Sequence, residues 1–234
     1  PLHAFDFDRL AEGTLIVRRA RAKESITTLD EVARALSPDV LVIADAKTAV
    51  AVAGIMGGVG GAVTPATRRI VLESAQFDPI LIRRAGRALG LASESSYRFE
   101  RGIDPAAVEA ASVRAAALLR ELAGGVEQSV TDTGAPVAKR AAISVDERRV
   151  SRALGLPVTG VLIRSTLAKL SCRVATSGSG RTLQVYPPSF RKDLVREVDL
   201  IEEMARSIGY DKLAASPAAG GTSSPAGTGP ARSP

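Results

Sequence analysis

Residues 49–61 read Ala49-Val50-Ala51-Val52-Ala53-Gly54-Ile55-Met56-Gly57-Gly58-Val59-Gly60-Gly61, a five-residue apolar run followed by five glycines in eight positions. A short run of small and β-branched residues bounded by glycine reads as a strand. So many glycines at its end imply a backbone that turns sharply or lets another group approach closely. Working outward, residues 15–19 and 40–44 before this stretch, and 69–72 after it, also read as strands. Two helices follow. Asp78-Pro79 supplies an N-cap and a first-turn proline, and Gly90 closes a helix carrying Arg83, Arg84 and Arg87. Asp104-Pro105 repeats the arrangement for a longer helix through Leu118, Leu119 and Leu122, ended by Gly124-Gly125. Its alanines and leucines make an apolar face that is expected to lie against the sheet.

The pattern changes at 134–140, where a domain boundary is expected. The second module opens with a strand at 142–145, followed by helices from 147 to 155 and from 159 to 170. A hairpin of 173–175 and 182–186, joined through Ser177-Gly178-Ser179-Gly180, stops at Pro187-Pro188. A last helix is expected over 196–208, capped by Gly209. From 214 onward every residue except Arg232 is Ala, Gly, Pro, Ser or Thr, a composition expected to be disordered. The organisation is therefore 1–134, 141–213 and a tail, 214–234.

Composition narrows the class. Hydrophobic residues make up 45% and aromatic residues 3% of the 234. No apolar run approaches the roughly 20 residues that would cross a bilayer, and no signal peptide is visible. The single cysteine, Cys172, cannot form an internal disulfide, fits a reducing cytosol and reads as a buried filler. A net charge of +6 and a pI of about 9.9 are compatible with a polyanionic partner such as RNA. One histidine and one cysteine do not furnish a zinc site without carboxylates, and no serine lies in a G-x-S-x-G elbow.

Several motifs are specific together. Pro1-Leu2-His3-Ala4-Phe5-Asp6 opens the chain, and Ala53-Gly54-Ile55-Met56-Gly57-Gly58 precedes Val71-Leu72-Glu73-Ser74-Ala75. Then come Gly90-Leu91-Ala92-Ser93-Glu94-Ser95-Ser96-Tyr97-Arg98-Phe99-Glu100-Arg101-Gly102-Ile103-Asp104-Pro105 and Pro187-Pro188-Ser189-Phe190-Arg191-Lys192-Asp193. Asp199-Leu200-Ile201-Glu202-Glu203-Met204-Ala205-Arg206 and Gly209-Tyr210-Asp211 complete the set. Over 1–213 the chain resembles the bacterial phenylalanyl-tRNA synthetase beta subunit. Because it starts at Pro1, it is expected to be a fragment of that subunit. The resemblance implies an α+β fold: a mixed-sheet editing domain, incomplete at its N-terminus, then a small winged-helix-like domain of three helices and a hairpin.

The resemblance further implies hydrolysis of tyrosine wrongly attached to the phenylalanine tRNA. Glu73 falls where the family places a carboxylate for the phenolic hydroxyl, and His3 where it places a polar partner. Gly57 and Gly58 match a glycine turn that lets substrate reach the backbone, and Ser93 stands where the family usually has threonine. Ser95 departs from the family's alanine beside the pocket. Taken alone, Glu73 reads as a solvated strand end, His3 as a surface or capping residue and the glycines as turns.

Asp199, Glu202 and Glu203 stand at i, i+3 and i+4, on one side of a helix that Asp193 just precedes. The resemblance implies a magnesium ion shared with the alpha subunit, in a holoenzyme that consumes ATP and binds tRNA in the cytoplasm. Acidic residues here would equally complement the helix dipole or pair with Arg206. A non-catalytic RNA-binding and assembly module is the alternative to an editing hydrolase.

Overall fold

The computed structural model describes residues 2–177 and 181–213, and only the backbone of Ser177. Pro1, the expected turn through 178–180 and the low-complexity stretch 214–234 lie outside the described residues. The chain divides into two compact units. One runs to Lys139 and includes Ser189–Lys192; the other comprises Arg140–Pro188 and continues from Asp193.

In the first unit the strands are β1 (Leu2–Asp6), β2 (Ile16–Arg19), β3 (Ser25–Thr27), β4 (Ala33–Ala35), β5 (Leu41–Ala44), β6 (Ala49–Val52), β7 (Met56–Gly57) and β8 (Ile70–Ser74). Three helices follow: α1 (Pro79–Leu89), α2 (Glu94–Phe99) and α3 (Ala107–Ala123). β2-β5-β6-β7 form a four-stranded sheet, β1-β8 and β3-β4 two-stranded ribbons. The α+β expectation holds. Every strand pair here is antiparallel, which narrows the mixed sheet that was expected.

β6 and most of β5 are buried on both faces, which is why their sequences are continuously apolar rather than alternating. A half-buried ion pair braces this sheet. Arg18 donates to both carboxylate oxygens of Glu24 at 2.8 and 2.7 Å, and Glu24 also accepts from the backbone N–H of Arg21 and Ala49. Chiefly through Arg18, the Glu24 carboxyl is held down to about 2.

The first helix forms as its caps predict: the Asp78 carboxylate accepts from Ile80 and Leu81 N–H at 2.7 and 3.2 Å. α2 was not anticipated, because six residues are too few to show a helical period. It is nucleated by a capping box in which Ser93 and Ser96 exchange hydrogen bonds. The long helix departs from expectation. No residue of α3 is buried, and Leu122 is 79% exposed. Within this unit it meets β8, where Ser74 donates to the carbonyl of Val108 at 2.7 Å. A five-residue strand spans roughly 17 Å and a 17-residue helix roughly 25 Å, so the leucine end overruns the strand it packs on.

The second unit contains β9 (Ile143–Asp146), α4 (Glu147–Leu154), α5 (Gly160–Lys169), β10 (Arg173–Ser177), β11 (Thr182–Tyr186) and α6 (Glu197–Ile208). The expected hairpin is present and gains β9 as a third strand, in the antiparallel order β10-β11-β9. Val145, Ile163, Leu167, Leu183, Leu200 and Met204 fill a core under three helices, and Cys172 is buried in it.

Candidate functional site

β1 and β8 pair so that His3 faces Glu73 directly. Directly opposed residues have Cβ atoms only about 5 Å apart on one face of the ribbon. The two residues are 70 positions apart in sequence, so only this pairing makes them neighbours. Both line a cavity of about 220 Å³, whose other walls include Leu2, Ile55, Met56 and Phe99. Among the described residues, neither His3 nor Glu73 has a side-chain hydrogen bond or ion pair. Burial pushes the Glu73 carboxyl up to about 7, and burial lowers the His3 imidazole. Near neutral pH the cavity therefore holds a carboxyl close to its titration midpoint beside an uncharged imidazole.

Gly57 explains the position of the histidine. A Cβ at Gly57 would lie 2.6 Å from His3 Cε1 and 2.9 Å from Nε2, so the ring occupies the space a side chain would fill. The ring also packs edge-on against Phe5, with centroids 4.4 Å apart. Gly58 does not line the cavity. A Cβ there would meet the Val50 carbonyl at 2.8 Å and Ile26 at 2.9 Å, so its glycine serves packing between strands. The turn expected of the glycine pair belongs instead to Gly54, at φ +67° and on the cavity wall.

Ser93 and Ser95 line the cavity, but their hydroxyls are engaged. Ser93 donates to the Ile55 carbonyl at 2.7 Å and Ser95 to the Gly54 carbonyl at 3.0 Å. The two serines at the start of α2 thus hold the turn that shapes the cavity. Gly54, Met56 and Phe99 were not singled out from the sequence. Their only signal was membership of the quoted motifs, since nothing local marks a phenylalanine as facing a cavity rather than the core.

The acidic group of the second unit does not converge. Asp199 accepts from the backbone N–H of Val195 and Arg196 at 3.0 and 2.7 Å, capping α6, and these bonds hold its carboxyl below the usual range. Glu202 and Glu203 accept from the two guanidinium nitrogens of Arg206 at 3.0 and 3.2 Å. Glu203 is buried, whereas Glu202 is exposed. Among the described residues no group of three or more His, Cys, Asp or Glu side chains is arranged to hold a metal ion. The set that includes Asp193 does not fit magnesium as it stands, because three of the carboxylates are committed to a cap and a guanidinium. No helix among the described residues is long and apolar enough to cross a membrane.

Residues 1–124 match the B3/4 domain family, and residues 143–210 match the tRNA synthetase B5 domain family. The first match covers over half of the chain, which therefore belongs to the B3/4 domain family. Across 91% of its length the chain is 44% identical to the phenylalanine–tRNA ligase beta subunit of Rhodopirellula baltica and 47% identical to that of Moorella thermoacetica. It covers 31% and 26% of those two proteins, so it spans under a third of these relatives. These matches show the beta-subunit resemblance read from the motifs. A crystal structure of an N-terminal fragment of the phenylalanyl-tRNA synthetase beta subunit from Pyrococcus horikoshii aligns with a TM-score of 0.46 and 14% identity, covering 89% of this chain and 60% of that one.

Proposed function

We propose that the first unit is a proofreading hydrolase that removes tyrosine from phenylalanine tRNA, as part of a phenylalanine–tRNA ligase beta subunit. The observation that carries this reading is the facing pair His3 and Glu73, whose side chains make no hydrogen bond among the described residues, in a cavity walled largely by apolar side chains. A tyrosine ring entering that cavity satisfies both needs at once. Its face meets Leu2, Ile55, Met56 and Phe99, and its hydroxyl donates to the Glu73 carboxylate. A hydrogen bond to an ionised acceptor is roughly twice as strong as a neutral one. A phenylalanine ring would displace water from Glu73 and return nothing, at about 1–3 kcal/mol per stranded polar group. His3, kept neutral by burial, offers a nitrogen to the same polar end without discharging the carboxylate.

The bond broken is the ester between the tyrosine carboxyl and a ribose hydroxyl of the tRNA. Water adds to the carbonyl carbon and the ribose hydroxyl departs, leaving tyrosine and free tRNA. The protein contributes placement, through an aminoacyl end held by a turn that Ser93 and Ser95 keep in position. In the assembled ligase, ATP-dependent joining of phenylalanine to tRNA belongs to the alpha subunit, the partner in an α2β2 assembly in the cytoplasm. No step is assigned to magnesium on this chain.

The test is tyrosine release from tyrosyl-tRNA made on the phenylalanine tRNA, with phenylalanyl-tRNA as control. Release of tyrosine alone, cut about a hundredfold in Glu73→Ala, is expected from loss of a charged hydrogen bond and of the fit it gives. Equal release from both esters, or full activity in Glu73→Ala, overturns the reading. Binding of tRNA without release would leave the chain as an RNA-binding and assembly module.

A further inference from the structure

α1 carries Arg83, Arg84 and Arg87 and no acidic residue. Spaced at i, i+1 and i+4, all three lie on its exposed side, opposite buried Ile82, Ala85 and Gly86. Arg83 reaches across to α2 and donates to the Glu100 carbonyl at 3.0 Å, so this face continues onto the end of the next helix. There the Arg101 guanidinium stacks 3.6 Å from the ring of Tyr97, which is 56% exposed. The exposed ammonium of Lys192, in the segment that belongs to this unit, lies 3.1 Å from where Gly102 would carry a Cβ.

The nearby carboxylates pair with Arg98 and Arg101 and leave Arg84, Arg87 and Lys192 unmatched among the described residues. Glu94 is engaged by Arg98, Glu100 by Arg101, and Asp78 by the N-terminal N–H groups of α1. Like charges at one-turn spacing repel, and Arg84 and Arg87 both face water. Cations that answer repeated negative charge, beside an exposed aromatic–guanidinium stack, match a strand bearing both phosphates and flat bases.

The surface is also tied to the cavity. On α2, Ser95 and Phe99 line the cavity while Tyr97 and Arg98, and Arg101 in the turn after it, are exposed. Ile82 of α1 and Phe99 of α2 both press on Gly54, on the cavity wall. About one helix diameter, roughly 10 Å, therefore separates the cationic face from the site.

We propose that α1, α2 and Lys192 form a docking surface for RNA, with Arg84, Arg87 and Lys192 on phosphates and the Tyr97–Arg101 stack against a base. This rests on the reading above that the cavity's substrate is carried on tRNA. The test uses the full chain and a transcript of phenylalanine tRNA, with binding followed between 50 and 200 mM salt. Arg84→Gln with Arg87→Gln should weaken binding about tenfold and lower the slope of log affinity against log salt by roughly 1.4 to 1.8, since each phosphate contact contributes about 0.7–0.9. Arg148→Gln with Arg152→Gln, removing the same charge from α4, should change neither. In tyrosine release the first pair should raise KM and leave kcat unchanged. An unchanged affinity and slope, or an equal loss in the α4 pair, overturns the surface while release by the unaltered chain leaves the editing reading standing. Neither binding nor release by the unaltered chain would remove both.

Discussion

The two units treat their carboxylates in opposite ways. In the second, Asp146 and Asp199 cap helices, Glu197 accepts from the Asp146 N–H and pairs with Arg149, and Glu202 and Glu203 share Arg206. In the first, Glu24 is likewise satisfied by Arg18 and two backbone donors, yet Glu73 faces a cavity and makes no side-chain hydrogen bond among the described residues. Burying a polar group without a partner costs stability, so an unpartnered carboxyl marks where a ligand is expected to complete the bonding. A charge cluster that already bonds within itself carries no such mark, and among the described residues the acidic helix shows none.

Breaking the satisfied kind of contact should cost most. Glu24→Ala removes both acceptors of the half-buried Arg18 guanidinium and two backbone hydrogen bonds, and is expected to destabilise the first unit by about 2–4 kcal/mol, read from chemical denaturation. An effect below 1 kcal/mol would mean that the pair is not holding the sheet.

Glu73→Gln should act in the opposite direction, and only at higher pH. Between the ordinary carboxyl value of 4.5 and about 7, folded Glu73 keeps a proton that the unfolded chain has lost. Its contribution therefore falls as pH rises through that window, by up to about 3 kcal/mol. Glu73→Gln should raise the melting temperature at pH 8 and leave it unchanged at pH 4. His3 has the reverse sign, since its lowered value means stability is lost as pH falls below 6.5. Parallel melting curves for both proteins across pH 4–8 would count against an unpartnered Glu73.

Gly57→Ala sharpens the comparison at the histidine. A Cβ 2.6 Å from the ring must push His3 aside, at an expected cost of about 1–3 kcal/mol and with a drop in tyrosine release larger than the loss of stability explains. Gly58→Ala, which clashes with Val50 and Ile26 instead, should lose stability without a separate loss of rate. The smallest effect belongs to the second unit, where Asp146→Ala removes the α4 cap at about 1 kcal/mol by thermal melting and leaves tyrosine release unaltered.

The sequence by itself determined the elements whose signals are local. Asp78-Pro79 and Gly90 bound α1, Gly155 ends α4, and the apolar runs at 41–44 and 49–52 are the central strands, because caps, turns and periodicity act over a few neighbouring residues. The family motifs added Glu73, His3, Gly57, Ser93 and Ser95 as candidates. Only the tertiary structure decided what they do together. It decided that a ribbon pairs His3 with Glu73, and that Gly57 yields its side-chain space to the imidazole while Gly58 yields its own to a strand. It also turned the two serines onto the carbonyls of the turn, closed Asp199, Glu202 and Glu203 onto a cap and an arginine, and left α3's leucines beyond the strand that α3 packs on. Each depends on groups distant in sequence meeting in space, and on which buried polar atom finds a partner there. Spacing along the chain does not encode that.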